Sequence, residues 1–150
     1  MRPPEAFDVG DATGLELLQD IVAGRRRQPP IGATVRMALV AVELGRAVFN
    51  GYPGHRHLNV NGVVHGGYAA LLLDSAMGCA IQSVLASGIR VATVSLEIKL
   101  VRQLTTEMEV VVAEGRVVHH GRSQATADGR LIQVDTDDVL AHGMTTCLLY

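Results

Sequence analysis

The sequence predicts an α+β fold in which a long antiparallel sheet wraps one buried helix. Two observations and one rule of architecture carry that expectation. Residues 66–86 form an apolar stretch whose one side chain charged at neutral pH is Asp74. Beyond residue 90 the pattern changes to runs rich in Val, Thr and Ile. Runs of strands around few helices indicate α+β rather than alternating α/β. With so few covering helices, the outer sheet face or an edge strand is expected to meet another subunit.

Taken in order, residues 12–23 read as a short amphipathic helix, with Leu15, Leu18 and Val22 near helical spacing and Gly24 as its stop. Arg25-Arg26-Arg27-Gln28-Pro29-Pro30 follows as a charged, proline-broken linker, more a solvated face than a site. Residues 34–42 and 45–50 are β-like, with a hairpin turn at Glu43-Leu44-Gly45. Residues 51–64, holding Pro53, two Asn and two His, read as a loop. The stretch 66–86 would make a helix of about 31 Å, and its nearly all-round apolar character places it inside the protein. Four strands are expected over residues 90–101, 107–118, 123–134 and 139–149, with turns at Gly121 and residues 135–138. No repeat or second core interrupts the order, so residues 1–150 read as a single unit with residues 1–33 as an N-terminal extension.

The chain of 150 residues is 48% hydrophobic and 19% charged, enough to bury roughly two-thirds of its unfolded surface, which excludes a disordered chain. Aromatics make up 3% with no Trp, and the formal charge is −2. Neither a stacking platform nor an attractive field for phosphate backbones results, so no nucleic acid partner is expected. Cys79 and Cys147 make no disulfide framework and sit in apolar runs, as small buried hydrophobes do. The start, MRPPEAFDVG, lacks the apolar region of a signal peptide. Residues 66–86 are long enough to be mistaken for a membrane span, but Asp74, Ser75, Gln82 and Ser83 interrupt them. A cytoplasmic protein with no membrane partner is expected.

Chemistry concentrates in residues 57–67 and the helix they enter. Glycines at a loop-to-helix junction allow close approach to the backbone, and the first N–H groups of a helix point outward without internal partners. Gly66 N–H is thus either a donor to a developing oxyanion or, with Gly67, a relief of crowding where helix meets sheet. Asp74 is a poor helix-interior residue, and an unpaired buried charge is costly. A hydrogen bond to a nearby Ser, Thr or backbone group is one account of it; a general base or nucleophile is the other, and the one we prefer. Eight residues separate Gly66 from Asp74, about 12 Å along a helix axis. One carbonyl carbon cannot lie within about 3 Å of both a base and an oxyanion donor so placed. If both act, they come from different copies, which predicts at least a dimer with interfacial sites. Other groupings are weaker. His55 with His57, and His119 with His120, lack further ligands at metal spacing, so no metal is expected. Asp138 and His142 more readily serve structure than acid–base work, and Cys79 has apolar helical neighbours rather than a base.

The motifs resemble those of hotdog-fold acyl-CoA thioesterases of the phenylacetate-degradation (PaaI-like) type, related to 4-hydroxybenzoyl-CoA thioesterases. The shared elements are Asn59, Gly62-x-x-His65-Gly66-Gly67, the run Leu72-Leu73-Asp74-Ser75-Ala76-Met77-Gly78 and Thr93, with Gly121-Arg122 and Ala141-His142-Gly143 further on. The resemblance runs from about residue 34 to the C-terminus. It implies a five- to six-stranded antiparallel sheet around one long helix, and dimers of hotdogs, commonly tetramers, with sites between protomers. It further implies Asp74 as general base or nucleophile, Gly66 N–H as the carbonyl's donor from the other protomer, and Asn59 as holder of the water or reacting group. Thr93 would bond near Asp74, and His65 would fix the loop through Asn59 or backbone. Gly67 and Tyr68 would border the substrate, with Tyr68 equally suited to core packing. Gln103 stands where such proteins often have Pro. Twelve of the thirteen Lys and Arg are arginine, suited to forked phosphate contacts, and Arg102, Arg122 or residues 25–27 would meet the nucleotide of coenzyme A. No cofactor is implied, because coenzyme A is part of the substrate. The expected activity is hydrolysis of an aryl- or medium-chain acyl-CoA. A non-catalytic acyl-CoA binding or sensing protein is the alternative, and a dehydratase or hydratase, whose His-carboxylate motifs are absent, ranks last.

Overall fold

The computed structural model describes residues 10–150; residues 1–9, where the missing signal-peptide pattern was read, lie outside it. Among the described residues, three α-helices, α1 (Gly14–Val22), α2 (Pro30–Val35) and α3 (Gly66–Ser83), and one short 3-10 turn (His55–His57) accompany six strands. These are β1 (Met37–Glu43), β2 (Arg46–Gly51), β3 (Val91–Leu100), β4 (Val111–His120), β5 (Gln124–Gln133) and β6 (Val139–Leu149). They form one antiparallel sheet in the order β1-β2-β4-β5-β6-β3, leaving β1 and β3 as its edges. This is the α+β arrangement expected, a sheet around one central helix.

The sheet's inner face buries α3 through Tyr68, Ala69, Leu72, Leu73, Ala76, Met77, Ala80 and Ile81, residues spaced three and four apart so that they share one side. Leu71, Asp74, Ser75, Gly78, Cys79 and Gln82 lie on the other side and are only half-buried. The helix is therefore two-faced, where its composition had suggested burial all round. It also ends at Ser83 rather than 86. There Ser83 Oγ donates to the Ala80 carbonyl and accepts from Gly45 N–H at 2.8 Å, tying the β1–β2 turn to the helix end.

The N-terminal extension is part of the core. Leu17, Leu18 and Ile21 of α1 are buried, and Thr13 closes a capping box with Glu16, satisfying orphan amides of the first turn. Residues 30–35 form α2, although the pattern of residues 34 and 35 predicts strand. Pro30 opens it, its fixed φ suiting a first helical position, and Arg36 ends it in the left-handed region at φ 53°. Ahead of α2, Gln28 grips the sheet edge. Its Nε2 donates to the Leu39 carbonyl at 2.9 Å, and its Oε1 accepts from Leu39 N–H at 3.1 Å. β4 begins at Val111 rather than 107, and Leu58 bridges Val64 inside the loop.

On the outer face, Glu114 accepts from Arg46 Nη2 at 2.7 Å and from Arg116 Nε at 2.7 Å. Burial works to raise its carboxyl, but the hydrogen bonds from Arg46 and Arg116 outweigh it and hold the group below the usual range. A carboxyl depressed in the folded state stabilises above its unfolded pKa of about 4.3 and loses that contribution as pH falls through the folded value. Glu114→Gln should therefore lower Tm at pH 7 by about 2–4 °C. The gap from wild type should narrow in thermal melts as pH falls through the acidic range below the unfolded pKa, and a constant gap would refute the ion-pair account.

Candidate active site

Asp74 lies mid-way along α3 on its half-buried side. Thr93 Oγ1 donates to Asp74 Oδ1 at 3.0 Å, and a bulge between Thr93 and Ser95 interrupts β3 just beyond. A bulge re-aims side chains locally, a common device beside functional sites. The pair opens onto a cavity of about 240 Å³ between α3 and residues 28–32, lined also by Pro29, Ile31, Gly78 and Cys79. The Thr93 bond gives Asp74 the partner that the structural account of it required. The same carboxylate nonetheless faces open space against apolar walls. Burial and the Asp74 charge push the Cys79 thiol up to about 12, so at neutral pH it is not a nucleophile.

A second concavity forms where residues 57–65 turn into α3. Asn59 Oδ1 accepts from the N–H groups of Asn61 at 2.9 Å and Val63 at 3.4 Å, folding the loop on itself in the manner of an Asx turn. Its side-chain carbonyl thus serves the loop. His65 caps the helix, its Nδ1 accepting from Gly67 N–H at 2.8 Å. His65 thus fixes the loop through backbone, not through Asn59. Capping takes the Gly67 amide and leaves that of Gly66, for which no acceptor stands among the described residues. Gly66, Asn59 and Arg102 line a cavity of about 310 Å³ with Val64, Leu100 and Leu104.

The two halves do not meet within one chain. Gly66 and Asp74 are two helical turns apart and open into different cavities. On β3, Thr93 pairs with Cys147 at one end and Leu100 with Ala141 at the other. Between them the edge strand is exposed, with Val94 and Leu100 each 56% accessible.

The remaining residues singled out in the sequence fall into place individually. Tyr68 is buried in the core and lines neither cavity. Its ring stacks on His57 at 4.3 Å, its hydroxyl donates to the Arg36 carbonyl, and burial pushes that hydroxyl up to about 12. Packing accounts for it, because its face of α3 points into the sheet. Arg102 pairs with Asp138 at 3.3 Å, which takes Asp138 away from His142. Arg122 sits in the β4–β5 turn, at the sheet end where Thr93 lies and opposite Arg102. Arg25 and Arg26 both reach Asp20, as a solvated face would. Among the described residues, no group of three or more His, Cys, Asp or Glu could hold a metal ion, and no helix is long and apolar enough to cross a membrane. The wall at residues 28–32 carries no site signal of its own in the sequence. Pro29-Pro30 followed by Gly32, a helix-start signal, was the clue available.

The sequence matches the profile of the thioesterase superfamily over residues 61–140, more than half of the chain and inclusive of Gly66, Asp74 and Thr93. The chain belongs to the thioesterase superfamily. Thioester hydrolysis is the activity this membership assigns, and it is the family that the motifs resemble. No curated protein matches the sequence. Among solved structures, this thioesterase is similar to a phenylacetic acid degradation-related protein of Ralstonia eutropha, with TM-score 0.78 and 21% identity over 87% of this chain and 98% of that one. It is similar also to the Escherichia coli PaaI protein of the phenylacetic acid degradation operon, with TM-score 0.76 and 17% identity over 93% and 96%. A thioesterase family protein from Silicibacter pomeroyi aligns with TM-score 0.77 and 21% identity over 88% and 97%. At these identities the likeness is one of fold.

Proposed function

We propose that the chain hydrolyses an aryl- or medium-chain acyl-CoA at sites shared between two copies. Asp74 of one copy serves as general base or nucleophile, and the partner's Gly66 N–H as oxyanion donor. The observation that carries the reading is the division of the groups between two cavities of one chain. An antiparallel pairing of β3 with β3 of a second copy sets the Thr93 end of one strand beside the Leu100 end of the other. That brings each Asp74 cavity toward the partner's Gly66 cavity and covers the exposed β3.

As base, the Asp74 carboxylate takes a proton from water, and the oxygen adds to the thioester carbonyl carbon. The oxyanion so formed accepts from the partner's Gly66 N–H, made more acidic by the helix dipole. Collapse breaks the C–S bond, and the proton passes to the coenzyme A sulfur. Thr93 holds the carboxylate's orientation, and Asn59 Nδ2 faces the reacting group. Arg102 and Arg122, at opposite sheet ends of one chain, converge when two copies pair, as ligands for the nucleotide phosphates. No metal or cofactor enters these steps. The phenylacetic acid setting of two fold neighbours favours an aryl acyl group. A tetramer built from two such dimers, working in the cytoplasm, completes the reading.

The test is thiol release from a panel of aryl- and aliphatic-CoA thioesters by wild type, Gly66→Pro and Gly66→Ala. Proline fits a first helical position, and the residue before it, His65, already has the extended backbone proline prefers, at φ −60° and ψ 133°. It removes the N–H and adds a ring whose Cβ meets the same Leu100 side-chain tip as that of alanine, at an expected loss of about 100- to 1,000-fold in kcat relative to Gly66→Ala. Gly66→Ala keeps the N–H, and its Cβ meets only the Leu100 side-chain tip, so it should retain most activity. Equal rates for the Pro and Ala variants would remove the oxyanion role.

A further inference from the structure

We propose that Gly78 is a specificity-determining residue, and that the acyl group of the thioester lies across it in the cavity between α3 and residues 28–32. The proposal rests on Asp74 being the catalytic carboxylate, because Gly78 follows it by four residues on the same helix face. Glycine inside a helix is unfavourable relative to alanine, so its presence needs a reason.

The described residues supply none. A Cβ built on Gly78 meets no atom within 4 Å. Its backbone is ordinary right-handed helix, which any residue adopts. By contrast, Gly115 is held against the helix backbone, with a Cβ there only 2.5 Å from Ala76 and Met77. The space over Gly78 belongs to the cavity that Asp74 and Thr93 share, so what requires an absent side chain is an occupant of that cavity. At about 240 Å³, it has room for about eight water-sized atoms. A single ring or a chain of six to eight carbons fills it. Pro29 and Ile31 stand across from Gly78 as the opposing wall, held in place where Gln28 grips Leu39.

The experiment compares kcat/KM for phenylacetyl-, hexanoyl-, octanoyl- and acetyl-CoA in wild type, Gly78→Ala and Ile31→Ala, with melting curves and sedimentation alongside. Gly78→Ala should raise Tm by about 2–4 °C. It should lower the phenylacetyl-to-acetyl ratio of kcat/KM by about tenfold or more, as one methyl in an apolar pocket does. Ile31 is an exposed side chain, so its truncation spares the fold, and it should move the chain-length optimum toward octanoyl. Unchanged ratios in both variants would overturn the proposal. So would a lower Tm with dissociation in Gly78→Ala, which would mean that a partner subunit fills the space. A wild type that binds these thioesters without hydrolysing them would sink the catalytic reading alone, and the same ratios taken from dissociation constants would still decide the role of Gly78.

Discussion

Asp74→Asn is expected to lower kcat for thioester hydrolysis by about a hundredfold or more, with KM little changed. The amide is nearly isosteric, and its oxygen can still accept from Thr93 Oγ1, so the helix and its cavity should persist. What it lacks is a basic lone pair for the proton of water, or a nucleophilic oxygen. Loss in kcat at constant KM is the signature of a group that acts in the transition state. The variant also tests the shared site. Asp74→Asn and Gly66→Pro chains, each inactive as homodimers, should complement when assembled together. A heterodimer holds one site with both substitutions and one with neither. Random pairing makes half of the dimers mixed, so about a quarter of wild-type activity should return. Failure to complement, with mixed dimers demonstrated, would confine each site to a single chain.

The second large effect concerns stability. Gly115, Gly129 and Gly143 stand side by side across β4, β5 and β6. At Gly115 the backbone of α3 comes so close that an added Cβ would lie 2.5 Å from the Ala76 carbonyl and from Met77 N. Those are main-chain atoms in the middle of a buried helix, and they cannot swing aside as a side-chain tip can. Gly115→Ala must push α3 off the sheet or bend β4, at a cost of about 3 kcal/mol or more. Tm should drop by about 6–12 °C, measured by thermal unfolding. An unchanged Tm would mean that the sheet and helix have slack which the close packing of Ala69, Ala76 and Ala80 does not suggest. Gly78→Ala, on the opposite face of the same helix, should move Tm the other way.

How much of this was legible in the sequence depended on whether the signal was local. The order of helices and strands was, because the change from apolar helix to alternating strand lies in the residues themselves. The separation of Gly66 and Asp74 was too, because a helix is a ruler. α2 was not, since its six residues are too few for a periodic pattern, and its start is set by Pro30 and its end by a left-handed Arg36. The role of residues 28–32 was hidden for a different reason. Gln28 matters through a backbone group eleven residues away, and only tertiary placement makes Ile31 a cavity wall. Tyr68 followed the glycines of the loop closely enough to suggest a substrate contact. Helical rotation turned it instead toward the sheet.

The two edges of the sheet have unequal fates. On β1, the Gln28 amide occupies the main-chain groups of Leu39 that another strand would need, and a bulge follows at once. On β3, the edge stands open over ten residues. A chain with two free edges could add neighbours indefinitely, as fibres do. One with a single free edge can join only once, and joining uses it up. The Gln28 side chain thus guards the edge opposite the open β3, and in the proposed dimer the strand pairing that joins two copies would also use up the free edge.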